Sequence, residues 1–360
     1  MNRYIFITVV YITSFTAYCK AQYSYIKRDY KNDTLSKEQV DLVIENTKQQ
    51  TIIGLGEAEH LKGTFYRIKS QLVRELILKN NIDLLIFEAD LNTCAQLDKY
   101  VKGDNSIQLK DLLPQMNATN NYILQNILNT PEIAALINWI KDHNTTHQKK
   151  VAVAGIDFQM PANFGKILNN HLPPELQAAL TDVINTYSKF YHGYMDYKNI
   201  FRLFTVDSLK EQAVAAADKV QQINNYLRTS EDKWLQANLA ALVCMSKFFI
   251  NPNGFTLRDA IMYNNLCLQV NARKAIVWAA TQHLQETSFW MGSYIRKKWG
   301  QQFCNIGVYS TIDCLPAPVT NDSIGLELFI KDKEKNCLEN NNESIIISVK
   351  AKEIPAATVL

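Results

Sequence analysis

The chain has 360 residues, with 38 Lys and Arg against 35 Asp and Glu and a formal net charge of +3. So nearly neutral a chain has no electrostatic reason to bind nucleic acid, which rewards a basic face. Its length permits one large domain or two small ones, and 47% hydrophobic residues can fill a large core.

The first residues form a targeting pattern. Arg3 precedes an apolar or hydroxylated run from Tyr4 to Tyr18, and Cys19 and Ala21 place small residues at −3 and −1. This predicts a secretory signal peptide over residues 1–21. The apolar run of about fifteen residues is short against the roughly 20 that span a bilayer. An uncleaved anchor is the alternative, and a lipoprotein site at Cys19 is disfavoured by the bulk of Tyr18. The expected product is exported, periplasmic or secreted, with no stable membrane span. Losing Arg3 and Lys20 lowers its net charge to about +1. Six of the seven cysteines remain, and none forms a Cys-x-x-Cys, which argues against a zinc ribbon. Cys244 and Cys267 read as buried helical thiols. Cys304, Cys314 and Cys337 read as the set available for bridging.

Short apolar runs then alternate with amphipathic ones. Ile52 to Gly56 reads as a strand, and Phe65, Ile68, Leu72, Val73 and Leu76 follow at helical spacing. Leu84 to Phe87 is the next strand, ending at Glu88, with helix over Ala95 to Val101. Ile133 to Ile140 is helical and leads to a strand at Val151 to Ala154 that runs out at Asp157. Residues 174–270 hold no convincing strand and read as a large helical insertion. Alternation resumes with a strand at Ala275 to Trp278, a helix at Phe289 to Trp299 and a strand at Phe303 to Tyr309. Residues 316–360 form a tail with two β-like runs, Leu326 to Ile330 and Ser344 to Val349. The pattern predicts an α/β fold, residues 22–315, with a mainly parallel sheet and flanking helices. In such sheets ligands bind beyond the carboxyl ends of the strands.

Four of these runs end in titratable residues: Glu57 with His60, Glu88, Asp157 and His283. A parallel sheet brings those ends to one edge. A carboxylate three residues from an imidazole is the minimal equipment of a general base, because it can hold the ring and stabilise its protonated form. Glu88 follows four apolar residues, where an unpaired charge would be costly. Asp157 has a plainer reading as a cap for the segment that follows. His143 and His147 lie among Asn and Thr and read as a solvated turn.

At these residues the chain resembles the erythromycin esterase family. The first motif reads Gly56-Glu57-Ala58-Glu59-His60, then Phe65, Tyr66 and Lys69. The second reads Phe87-Glu88-Ala89-Asp90, then Asp98, Tyr100, Val101 and Gly103. The third is Gly155-Ile156-Asp157. The fourth is Arg258-Asp259 with Met262 and Asn265. The fifth runs from Val277 to His283, then Met291-Gly292-Ser293 and Ile295-Arg296. Together they span roughly residues 48 to 310. Ala280 stands where the fifth motif has its first histidine, Thr281 where it has asparagine, and Leu61-Lys62 where the first has Gly-Thr.

The resemblance implies a carboxylic ester hydrolase acting on a small ester or lactone, macrolide-like or acylated; antibiotic resistance lies within that range. His60, Glu57, Glu88 and His283 are the expected catalytic residues, and Lys69, Asp157 and Arg258 the expected substrate-binding ones. No metal or other cofactor is required, and no Gly-x-Ser-x-Gly elbow occurs. Two alternatives remain open. One is metal-assisted hydrolysis at the same site with a divalent ion such as Zn or Mn. The other is a non-catalytic or glycan-related envelope binding protein, which Ala280 favours. The pattern carries no information on oligomeric state.

Overall fold

In a computed structural model of the chain, the residues described are 23–25, 34–58, 60, 63–115, 128–158, 161–194, 206–250, 254–287, 289–310, 325–330 and 346–350. The apolar runs become strands: β1 (Tyr23–Tyr25), β2 (Ile52–Glu57), β3 (Leu84–Asp90), β4 (Ala152–Asp157), β5 (Ala275–Ala280), β6 (Phe303–Ser310), β7 (Gly325–Ile330) and β8 (Ile346–Lys350). They form one sheet in the order β1-β8-β7-β6-β2-β5-β3-β4. The strands from β4 to β7 are mutually parallel, and β8 and β1 add an antiparallel edge. The first interior strand, β2, lies between β5 and β6. From β2 the chain runs to β3 and β4 on one side, returns to β5 beside β2 and then crosses to β6 and β7 on the other, so the carboxyl end of β2 lies where strand order reverses.

The helices are α1 (Lys37–Thr47), α2 (Gly63–Asn80), α3 (Leu91–Val101), α4 (Leu109–Leu112), α5 (Pro131–Thr146), α6 (Pro161–Asn169), α7 (Pro174–Tyr194), α8 (Asp207–Leu227), α9 (Lys233–Ile250), α10 (Gly254–Val270) and α11 (Met291–Trp299). Their starts have local causes. Ser36 and Gln39 form a capping box at α1, and Thr130 caps α5 ahead of Pro131. Asp90 ends β3 and caps α3 through the N–H of Thr93.

Alternate side chains of the strands feed two cores. On one face Ile53, Leu55, Phe87 and Trp278 pack against α1, α2, α3 and α5. On the other, Ile52, Ile86 and Val277 pack against Met262 and Leu266 of α10 and Met291 and Ile295 of α11. Each such aliphatic side chain contributes about 1.5–3 kcal/mol on burial. A third core belongs to a lobe of α6 to α9, and Leu257 and Ile261 of α10 touch it. The described residues of the predicted helical stretch are therefore mainly helical, but its last helix also closes one face of the sheet.

Several expectations need correction. His143 lies in the last turn of α5 and His147 caps it; their rings stack at 3.8 Å, so this is a helix end and not a free turn. Cys267 is only half-buried. Cys304 is a buried free thiol on β6, taken up by the core and not by a bridge, while Cys314 and Cys337 lie outside the described residues. The signal segment also lies outside them, and of the tail only β7 and β8 are described. Among the described residues no helix is long and apolar enough to cross a membrane.

Candidate active site

The site forms beyond the carboxyl ends of β2, β3, β4 and β5. Glu57 is the last residue of β2, and the N–H of the next residue, Ala58, still donates to Val308 of β6. A one-turn 3-10 segment, Thr281–Leu284, follows β5 directly and carries His283 back over the sheet. It lies so close to β2 that a Cβ on Gly56 would stand 2.7 Å from Thr281 Oγ1. Glycine is required there for the two strand ends to meet.

One group of charges is centred on Glu57, which is 2% exposed. Its Oε1 lies 3.2 Å from Nδ1 of His60. A carboxylate only accepts, so Nδ1 carries the proton and Nε2 is the nitrogen that can take another. The second oxygen of Glu57 accepts from Nζ of Lys69. Lys69 is fully buried, with its Nζ 4.2 Å from the centre of the Trp278 ring. Burial pulls this ammonium down to about 8, although the charge of Glu57 opposes the shift. The His60 side chain keeps 28% of its surface, enough to meet a substrate. Burial alone would lower its pKa, but the hydrogen bond and charge of Glu57 outweigh it and hold the ring above its ordinary value.

A second group is built around Arg258. Its Nη2 donates to Glu88 Oε1 at 2.8 Å and to Asp157 Oδ2 at 2.5 Å, and its Nε donates to Asp157 Oδ1 at 3.2 Å. His283 Nδ1 faces both oxygens of Asp259, at 2.9 and 3.0 Å. Its Nε2 lies 3.2 Å from Glu88 Oε1 and 3.0 Å from Arg258 Nη1. Two carboxylates, Glu88 and Asp157, thus hold the guanidinium, and Glu88 and Asp259 hold the ring, which supplies the second positive charge. Burial opposes this, yet the charge of Glu88 raises His283 to about 9. The Glu88 carboxyl is held well below its usual range: burial would raise it, but the charges of His283 and Arg258 prevail. Its other oxygen accepts from the N–H of Ala280 at 2.8 Å.

All seven expected site residues therefore fall into two adjoining clusters, one of Glu57, His60 and Lys69 and one of Glu88, Asp157, Arg258 and His283. Their exposures differ. Lys69 and Asp157 have no accessible surface; Lys69 pairs with Glu57 and Asp157 with Arg258. His60 and Arg258 are the more open members. Asp259 was missed as a site residue. It fixes His283 and also accepts from the N–H of Met291 at 2.8 Å. Its place beside Arg258 in the fourth motif was the available signal. Phe289 and Trp290 were read only as helix. Trp290 stands edge-on to His283 with ring centres 5.7 Å apart, and Phe289 beside it is 38% exposed. Tyr187 is fully buried in the lobe against Phe249. Glu59, Leu61 and Lys62 lie outside the described residues.

A metal would compete poorly for these carboxylates. Oxygens of Glu57, Glu88 and Asp157 are already matched by the fixed cations Lys69 and Arg258. Among the described residues, no group of three or more His, Cys, Asp or Glu side chains is arranged to hold a metal ion.

The fold and these two clusters define a class: an α/β protein whose parallel strands present a buried acid–base site at their carboxyl ends. The chain belongs to the erythromycin esterase family, whose model matches residues 77–312. Glu57, His60 and Lys69 lie just before the matched span. Three solved structures share the fold. A Bacillus cereus protein has a TM-score of 0.59 at 20% identity, covering 80% of this chain and 72% of its own. A succinoglycan biosynthesis protein has a TM-score of 0.57 at 16% identity, covering 86% and 77%. A mutant of erythromycin esterase EreC in its open conformation has a TM-score of 0.52 at 15% identity, covering 91% and 83%. No curated protein matches the chain.

Proposed function

We propose that the protein hydrolyses a carboxylic ester or lactone, with His60 as the general base for water. The observation that carries this reading is the half-open His60 ring, with Nδ1 held by buried Glu57 and Nε2 left to act. Water gives a proton to Nε2 as its oxygen attacks the carbonyl carbon. Glu57 stabilises the imidazolium that forms. The carbonyl electrons move onto oxygen, and the neighbouring cations Arg258 and His283 are the groups suited to steady that charge. When the tetrahedral intermediate collapses, the C–O bond breaks and the leaving alkoxide takes the proton back from His60. An ester yields an acid and an alcohol; a lactone yields one hydroxy acid.

General-base assistance of this kind contributes about 10²- to 10⁴-fold, and an oxyanion donor about 10²- to 10³-fold. Family membership supports the reaction class. Ala280 supports a second reading, a protein that binds an ester or glycan without turning it over. Assaying the purified protein on a panel of lactones and acylated sugars separates the two. His60→Ala should abolish any hydrolysis found while leaving the circular dichroism unchanged; full activity in that variant overturns the mechanism.

A further inference from the structure

A lysine with no accessible surface in the middle of an otherwise apolar helix face needs a physical reason. On α2 it is flanked by Phe65, Tyr66, Ile68, Leu72 and Val73, all buried. Moving an ammonium out of water costs several kcal/mol unless a partner compensates. The compensation here is specific. Glu57 gives Lys69 one oxygen and His60 the other, and the face of Trp278 covers the ammonium. Ala280, whose Cα pairs with that of Glu57 across β2 and β5, adds no polar side chain. Among the described residues, then, one carboxylate is shared between two cations.

We infer that Lys69 is a positioning residue that controls the proton on His60 through Glu57. While Lys69 is charged it draws on the carboxylate, and the ring sheds its proton more readily than it would beside Glu57 alone. Without that charge, Glu57 acts on the ring alone and His60 holds its proton to higher pH. The groups facing this chain are few. Glu57 comes from β2 and His60 from the turn after it. Glu88 of β3 acts on both cations but is itself held by Arg258 and His283. Trp278 of β5 does not titrate. Burial brings Lys69 down to about 8, within reach of a titration. The ε-ammonium is thus a third member behind a carboxylate–imidazole pair, and it sets the basicity of the pair without touching the substrate.

The rate readout below rests on His60 being the base; the spectroscopic one does not. In full-length protein with ¹⁵N-labelled histidine, with His60 assigned by its loss in His60→Ala, the ring is titrated by NMR. In Lys69→Met, which removes the charge and keeps the length, the His60 pKa should rise by about one unit. In Lys69→Arg, which keeps the charge, it should stay within a few tenths of a unit. The acid limb of kcat/KM should move with it, so that Lys69→Met loses up to about tenfold in rate at neutral pH. A merely structural lysine would lower the rate at every pH and leave both the limb and the titration where they were. Should neither variant fold, wild type decides: its His60 signals must show a second inflection near pH 8, as Lys69 loses its proton. An unmoved titration in folded Lys69→Met, or no second inflection in wild type, overturns the inference. If the NMR titration moves but the rate profile does not, the coupling stands and His60 is not the base.

Discussion

The backbone N–H of Ala280 donates to Glu88 Oε2 at 2.8 Å, while its Cα pairs with that of Glu57 on the neighbouring strand. One small residue thus joins the two charge clusters. The link is made by main-chain atoms, so it survives whatever side chain stands at this position. What the methyl group cannot supply is a side-chain donor; in the proposed mechanism that task falls to Arg258 and His283.

Glu88 balances both of those cations, so neutralising it should be felt twice. Glu88→Gln leaves Arg258 and His283 with less counter-charge in a site where Glu88 is only 6% exposed. Breaking one partner of such a buried pair costs about 3–5 kcal/mol. Urea denaturation should show a loss of that order. In the same variant the His283 titration should fall from about 9 toward the ordinary imidazole range.

The raised pKa of His283 also sets a pH dependence for folding. A group protonated more readily in the native state stabilises it fully below its unfolded pKa, here about 6.5, and loses that contribution as pH rises through about 9. Melting temperature should decline as pH rises from 6.5 toward 8, before Lys69 begins to act in the opposite sense. Substituting Glu88 should flatten that slope.

Asp90 presents the opposite opportunity. It has no accessible surface; burial raises its carboxyl to about 6, against the hydrogen bonds of Thr93 and Asn163. The native state therefore favours its neutral form, and stability falls as pH rises through that value. Asp90→Asn keeps the cap on α3 and removes the charge. It should stabilise the protein by about 1 kcal/mol at pH 7 and make little difference at pH 4. Thermal melts at the two pH values check this.

Gly56→Ala should be costly although it adds one methyl. The new carbon would stand 2.7 Å from Thr281 Oγ1 and 2.9 Å from its Cα. Overpacking of this kind costs about 1–3 kcal/mol. Because the displaced turn carries His283, turnover should fall along with the melting temperature.

Side-chain cations already match carboxylate oxygens in both clusters, so hydrolysis should survive dialysis against a strong chelator. A loss of rate that zinc or manganese restores would instead establish metal-assisted chemistry.

Much of this protein was legible before any coordinates. Alternating apolar runs announced the parallel strands. The abrupt appearance of Glu57, Glu88, Asp157 and His283 at their ends marked one edge as chemical. Both are local signals: the period of two or 3.6 residues and the cost of an unpaired charge beside an apolar run act over a few positions. The roles of the same residues were not legible. From the chain alone, Lys69 and Asp157 look like substrate ligands, and the two histidines look alike. Folding buries Lys69 and Asp157, opens His60, and encloses His283 between Asp259 and Glu88, 24 and 195 positions away along the chain. The sequence by itself determined which chemical groups are present and that strands deliver most of them. Only the tertiary structure decided which histidine stays partly open and which is enclosed by carboxylates, because burial and charge pairing depend on contacts between segments that no local pattern relates.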